Sequence, residues 1–231
     1  MPSPSLETLE QSLGVTFQNR DTLRQALVHR SYLNEHPDFP LGQNERLEFL
    51  GDAVLELVVT EYLYQHYENP EGELTNWRAA LVNADMLSHL CESLGVEAYL
   101  YLSKGEAKDA DSKARYYILA NAFEAIIGAI YLDLGWQESK EFILRHVIKE
   151  LPRILEHQLY IDPKSRFQEA AQEQFGVTPT YKVLSEQGPD HAKKFKIGVY
   201  LNKDLIATGE GMSKQEAQVA AAEAAVKAKK W

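Results

Sequence analysis

The stretch Asn44-Glu45-Arg46-Leu47-Glu48-Phe49-Leu50-Gly51-Asp52 runs directly into Ala53-Val54-Leu55-Glu56-Leu57-Val58-Val59. It contains no proline, and its apolar residues recur at helical spacing, so it predicts the first turns of a long helix. At about 100° per residue, Glu45, Glu48 and Asp52 fall within a sector of roughly 60°. Leu47, Leu50, Val54, Leu57 and Val58 cluster on the far side as a core stripe. Neighbouring carboxylates on one stripe repel by about a few tenths of a kcal/mol per pair, and no lysine is interspersed among them. Something cationic is expected on that stripe.

A second stretch reinforces the first. From Tyr117 the chain reads Tyr-Ile-Leu-Ala-Asn-Ala-Phe-Glu-Ala-Ile-Ile-Gly-Ala-Ile-Tyr-Leu-Asp, apolar nearly all round, which predicts a central buried helix over 114–133. Asn121 and Glu124 lie on one face of it, three residues apart. A lone carboxylate in such a run is costly unless it is paired, protonated or metal-bound. An ion pair with Arg46 is the plain alternative, and the acidic stripe at 45–52 tips the reading towards metal.

Outward from these two helices, composition sets the bounds. The 231 residues are 45% hydrophobic and 25% charged, as in a soluble globular protein of one or two domains. No apolar run is read as membrane-spanning, and the N-terminus has no basic-then-apolar signal pattern. The single cysteine, Cys91, has no partner within the chain, which fits a reducing cytoplasm. The net charge of −10 is unevenly spread: residues 1–161 carry 13 Lys+Arg against 25 Asp+Glu, and residues 162–231 carry 11 against 9. A shift from −12 to +2 is a domain signal.

Short helices are expected over 5–13 and 21–28, a Pro-containing loop over 34–42, and a helix from 73 to 94 ended by Gly95. A short extended piece follows at 99–102, then a polar loop at 104–114. Another helix over 137–158 should kink or split at Pro152. His29 reads as a hydrogen-bonded structural residue rather than a ligand. After a linker at 159–163 the pattern changes. Residues 164–176 are helical, 181–186, 195–201 and 204–209 read as strands, and 213–230 form an Ala-rich helix suited to close packing on a sheet.

Asn44–Asp52 resembles the signature of ribonuclease III endonucleases, and Ile118–Asp133 resembles their second block. Ala26–Tyr32 and Leu102-Ser103-Lys104-Gly105-Glu106 are similar to further segments of that family, in the same order. The resemblance implies an all-α endonuclease domain (1–158) acting as a homodimer. It further implies that carboxylates at Glu45, Glu48, Asp52 and Glu124 bind divalent metal, with Asp52 and Glu124 catalytic. Glu71 matches a further acid sometimes placed near the site. This chain has Asn121 where the family usually has Asp; an amide oxygen can still ligate a hard cation.

Residues 164–231 resemble, throughout, the small α+β (α-β-β-β-α) double-stranded-RNA-binding domain. Matched one by one, Gln168, Glu169 and Gln172 form a polar face suited to 2′-hydroxyl and minor-groove contacts. The loop Gly188-Pro189-Asp190-His191 matches a second minor-groove contact. Ser213 and Lys214 open the last helix, where N–H groups favour phosphate. Gln215 stands where the family often has another lysine. Phe49 lies off the core stripe without an apolar bed, and the resemblance implies its insertion into a partner subunit.

Clustered acid oxygens select hard cations such as Mg²⁺, with Mn²⁺ able to substitute. Two such ions would sit about 4 Å apart and supply an activated water and charge neutralisation at phosphate. No Ser–His–Asp arrangement, Gly-rich phosphate loop or zinc spacing is present, and no organic cofactor is expected. The reaction class is therefore hydrolysis by metal-bound water, and the resemblance implies duplex RNA as its substrate. The resemblance implies 5′-phosphate and 3′-hydroxyl ends with two-nucleotide 3′ overhangs, in rRNA-precursor and mRNA processing. A duplex-RNA-binding protein with a nuclease site weakened by Asn121 is the rival. A dimetal carboxylate oxidase would need paired Glu-x-x-His motifs, which are absent.

Overall fold

A computed structural model describes residues 5–109, 112–188 and 193–231. The chain divides into two compact units, 1–160 and 161–231.

The first unit is helical: α1 (Leu6–Leu13), α2 (Arg20–Ala26), α3 (Arg30–Glu35), α4 (Glu45–His66), α5 (Glu71–Val82), α6 (Ala84–Ser93), α7 (Lys104–Lys108), α8 (Lys113–Leu134), α9 (Trp136–His146) and α10 (Leu151–Glu156). α8 is the axis: α2, α4, α6 and α9 all pack on it. Its Leu119, Phe123, Ile126, Ile127 and Ile130 are buried to within 1%. By length and composition α8 could cross a membrane, yet most of its apolar window lies inside this fold. An all-round apolar helix has no other stable place in a folded unit.

α4 lies along α8, and two glycines set how closely. A Cβ on Gly51 would collide with the Glu124 carbonyl oxygen and stand 2.8 Å from the Gly128 nitrogen; one on Gly128 would collide with the Leu47 carbonyl. The two backbones are therefore in direct contact at that crossing. A glycine inside a helix costs about 1 kcal/mol relative to alanine, which the close packing offsets.

Several expectations need correction. Leu57 is 57% exposed, not core, and Leu50 is only half-buried; Leu55, Val59 and Leu63 complete the buried face with Leu47, Val54 and Val58. The helix expected over 73–94 is two, because Asn83 leaves helical geometry and its Oδ1 caps α6 by accepting from Met86 N–H at 2.9 Å. Glu71 and Gly72 form the first turn of α5, ahead of the start expected at 73. Residues 30–35 and 104–108 are short helices, α3 and α7. The late helix breaks after His146, and Pro152 sits in the first turn of α10, where its missing N–H leaves no bond unmade.

The second unit runs α11 (Pro163–Phe175), β1 (Thr180–Gln187), β2 (Lys194–Leu201), β3 (Asp204–Gly211), α12 (Lys214–Lys229). The strands form an antiparallel meander in the order β1-β2-β3. Ile197, Val199 and Leu201 alternate inward with Phe167, Ala171, Ala221, Ala222 and Ala225. Gly211 approaches α12 so closely that a Cβ there would stand 2.6 Å from the Ala217 nitrogen.

Candidate metal centre and RNA-binding face

The α4–α8 crossing brings the two acidic stretches together. Glu48 and Asp52 on α4 face Glu124 on α8, because Gly51 lets α4 ride on the Glu124 backbone. Glu124 is half-buried and has no ion-pair partner among the described residues; Arg46 is exposed. Burial, then the charges of Asp52 and Glu48, push its carboxyl up to about 8. Burial, then Glu45 and Asp52, raise Glu48, while the Asn121 amide, hydrogen bonding to it, works against that rise. Burial, then Glu56, raises Asp52.

Glu45 is drawn to one side: its Oε2 accepts from Gln43 Nε2 at 3.0 Å and its Oε1 lies 3.6 Å from Arg30 Nη1. Among the described residues no three acids, histidines or cysteines converge on a single point. The carboxylates are within electrostatic reach of one another without chelating geometry. The donor set is all oxygen, four carboxylates and one carboxamide, and the centre carries excess negative charge. That chemistry fits a hard divalent cation. Glu71 lies apart, on a cavity of about 640 Å³ with Thr60, Tyr64, Tyr67 and Arg78.

A carboxyl whose pKa is higher folded than unfolded takes up a proton on folding. Stability then falls as pH rises from the ordinary value near 4.5 through about 8. In EDTA the unfolding temperature is expected to fall between about pH 5 and about pH 8, and Glu124→Gln should flatten that fall. Calorimetry that gives parent and variant the same pH slope would contradict this.

His29 is structural: it caps α3, with Nδ1 2.8 Å from Ser31 Oγ, and burial lowers its pKa. Phe49 stands 80% exposed on a stripe with Leu57 and Tyr64, the latter also 80% exposed.

In the second unit, Gln168, Glu169 and Gln172, with Glu173, are exposed together on one face of α11. Ser213 Oγ caps α12 by accepting from Glu216 N–H at 3.1 Å. Lys214 Nζ lies over the Phe195 ring and 3.5 Å from Glu186. His191 lies outside the described residues.

Sequence reading missed Gly51, Gly128, Arg30 and Asn44. The signals were available: glycine inside two apolar helices, and asparagine at a helix start.

An acidic centre between two packed helices, followed by a helix–sheet–helix unit with a polar recognition face, defines a nuclease joined to a duplex-RNA-binding module. The Ribonuclease-III-like family model matches residues 19–151, and the double-stranded RNA binding motif matches 163–228. Ribonuclease 3 of Nitratiruptor sp. is 42% identical over 96% of both chains, and that of Carboxydothermus hydrogenoformans 44% identical over 98% of this chain and 96% of its own. A solved nuclease domain of ribonuclease III from Campylobacter jejuni aligns with a TM-score of 0.57 at 41% identity, covering 64% of this chain and 99% of that one. The chain belongs to the ribonuclease III family. It is an endoribonuclease that binds and cleaves double-stranded RNA, in a family typically dependent on divalent metal.

Proposed function

We propose that residues 1–158 form the nuclease domain, 159–163 a linker and 164–231 the RNA-binding domain, and that Mg²⁺, with Mn²⁺ as a substitute, is held by Glu45, Glu48, Asp52, Asn121 and Glu124. The observation that carries this reading is the α4–α8 crossing, which sets Glu48 and Asp52 against a half-buried Glu124 that has no ion-pair partner among the described residues. When bound, the metal supplies an activated water and neutralises charge at the scissile phosphate. Asp52 and Glu124 hold and orient that centre. Gln168, Glu169, Gln172, His191, Ser213 and Lys214 bind the duplex, and the products carry 5′-phosphates, 3′-hydroxyls and two-nucleotide 3′ overhangs. The working compartment is the cytoplasm.

Asn121 has one formal charge fewer than Asp, so it should weaken metal binding without abolishing it. Duplex RNA is expected to be cut by the chain as it stands at elevated Mg²⁺. Asn121→Asp should move the Mg²⁺ titration to lower concentration. Cleavage by the Asp form alone, at every Mg²⁺ and Mn²⁺ concentration, would sink the reading in favour of a binding protein.

The active form is a homodimer seated on the Phe49–Leu57–Tyr64 stripe, an apolar surface that water alone covers poorly. The Campylobacter structure likewise concerns a region involved in dimer formation of that protein. Phe49→Ala is expected to loosen the dimer by roughly 2–4 kcal/mol. Sedimentation showing an equally tight dimer would refute it.

A further inference from the structure

Asn44 stands at the start of α4, 4% exposed, yet its side chain makes no cap. An asparagine there ordinarily accepts a hydrogen bond from an N–H two or three residues on. Instead, Nδ2 donates to the Ala26 carbonyl at 3.1 Å. Its backbone N–H donates to the Val28 carbonyl at 2.9 Å, and its own carbonyl accepts from Leu47 and Glu48 N–H, both at 2.9 Å. The first turn of α4 is thus fastened, by side chain and main chain, to residues 26–28.

That segment is itself fastened. Tyr101 N–H donates to the Leu27 carbonyl at 3.0 Å, and His29 N–H to the Tyr101 carbonyl at 3.1 Å. Ser103 N–H donates to Ser31 Oγ at 3.1 Å. Glu45 and Glu48 are the first and fourth residues of the turn so anchored. Side chains around a helix are set by its rotation about its axis, so an anchor at its start fixes where they point.

We infer that Asn44 is a positioning residue for the metal centre: its tie to Ala26 and Val28 fixes the turn that carries Glu45 and aims Glu48 towards Asn121 and Glu124. The inference rests on the metal site proposed above. Partners that orient ligands, without touching metal, typically control metal affinity by about 10–100-fold.

The test uses the full chain and Mg²⁺ alone, reading the metal midpoint from the rise in unfolding temperature, with duplex-RNA cleavage measured in parallel. Three variants are compared with the parent. Asn44→Ser offers a short polar side chain that cannot reach Ala26, Asn44→Ala has no polar side chain at all, and Val59→Ala opens the buried core of the same helix. Asn44→Ser is expected to unfold within a few degrees of the parent in EDTA while its Mg²⁺ midpoint rises about tenfold or more. Asn44→Ala should shift the midpoint at least as far. Val59→Ala should lower the unfolding temperature and leave the midpoint where it was. Unshifted midpoints in both Asn44 variants, or an equal shift in Val59→Ala, would overturn the inference. A Mg²⁺ midpoint that moves as expected in a chain that cuts no RNA would defeat the nuclease activity and leave the positioning role standing. The absence of any Mg²⁺-dependent rise in the parent would remove the metal site and Asn44's role with it.

Discussion

Glu124→Gln is expected to slow duplex-RNA cleavage by about 10²-fold or more, the scale of losing one strong electrostatic stabiliser. Among the site's carboxyls, Glu124 is the one that burial and its neighbours push furthest up. It sits half-buried on the central helix, and Asp52 and Glu48 face it across the Gly51 contact. Glutamine has the same shape and keeps one oxygen, so α8 and its packing on α4 should survive the change. What it lacks is the charge, which is what the site offers a divalent cation. Duplex binding in EDTA should therefore be unaltered, because we assign it to the face on α11 and the start of α12. Single-turnover cleavage and a binding titration in EDTA separate the two. A Glu124→Gln protein that cuts within a few-fold of the parent at equal Mg²⁺ would show that the centre lies elsewhere.

Gly51→Ala is the second large effect, and it acts through backbone. The added methyl would meet the Glu124 carbonyl and the Gly128 nitrogen, neither of which can swing aside as a side-chain tip could. α4 and α8 would have to part. Over-packing typically costs about 1–3 kcal/mol and occasionally more, and a contact between two main chains belongs at the upper end. A loss of about 3 kcal/mol corresponds to roughly 6–12 °C in the unfolding temperature of a unit this size. Cleavage should fall as well, since parting the helices moves Glu48 and Asp52 away from Glu124. Gly72→Ala is the control: nothing stands within 4 Å of a Cβ there, at the first turn of α5. Calorimetry that finds Gly51→Ala as stable as Gly72→Ala would show that the crossing tolerates separation.

The contrast between these residues shows where local sequence carries information. The acidic stripe was legible because 3.6-residue periodicity is local: Glu45, Glu48 and Asp52 share a face whatever α4 packs against. The buried α8 was legible for the same reason, as were the alternating β2 and the Ala-rich α12. The periodicity is less exact at stripe edges. One residue is about 100° of rotation, and Leu57 fell to the exposed side with Phe49 while Val59 and Leu63 turned inward. The break at Asn83 escaped because Ala80, Leu81, Ala84 and Met86 are good helix formers, while the Asn83 cap on Met86 N–H forms only where the chain has already turned.

By itself, then, the amino-acid sequence determined the classes of element, the acid-bearing faces and the change of character near residue 160. Each of these depends on neighbours within a turn or two. Only the tertiary structure decided that α4 meets α8 at Gly51 and Gly128, that Glu124 faces Glu48 and Asp52, and that Asn44 spends its amide on Ala26. Those facts join residues 18 to about 80 positions apart. Local periodicity fixes the direction a side chain takes from its own helix, but not which backbone it meets or how near that backbone comes.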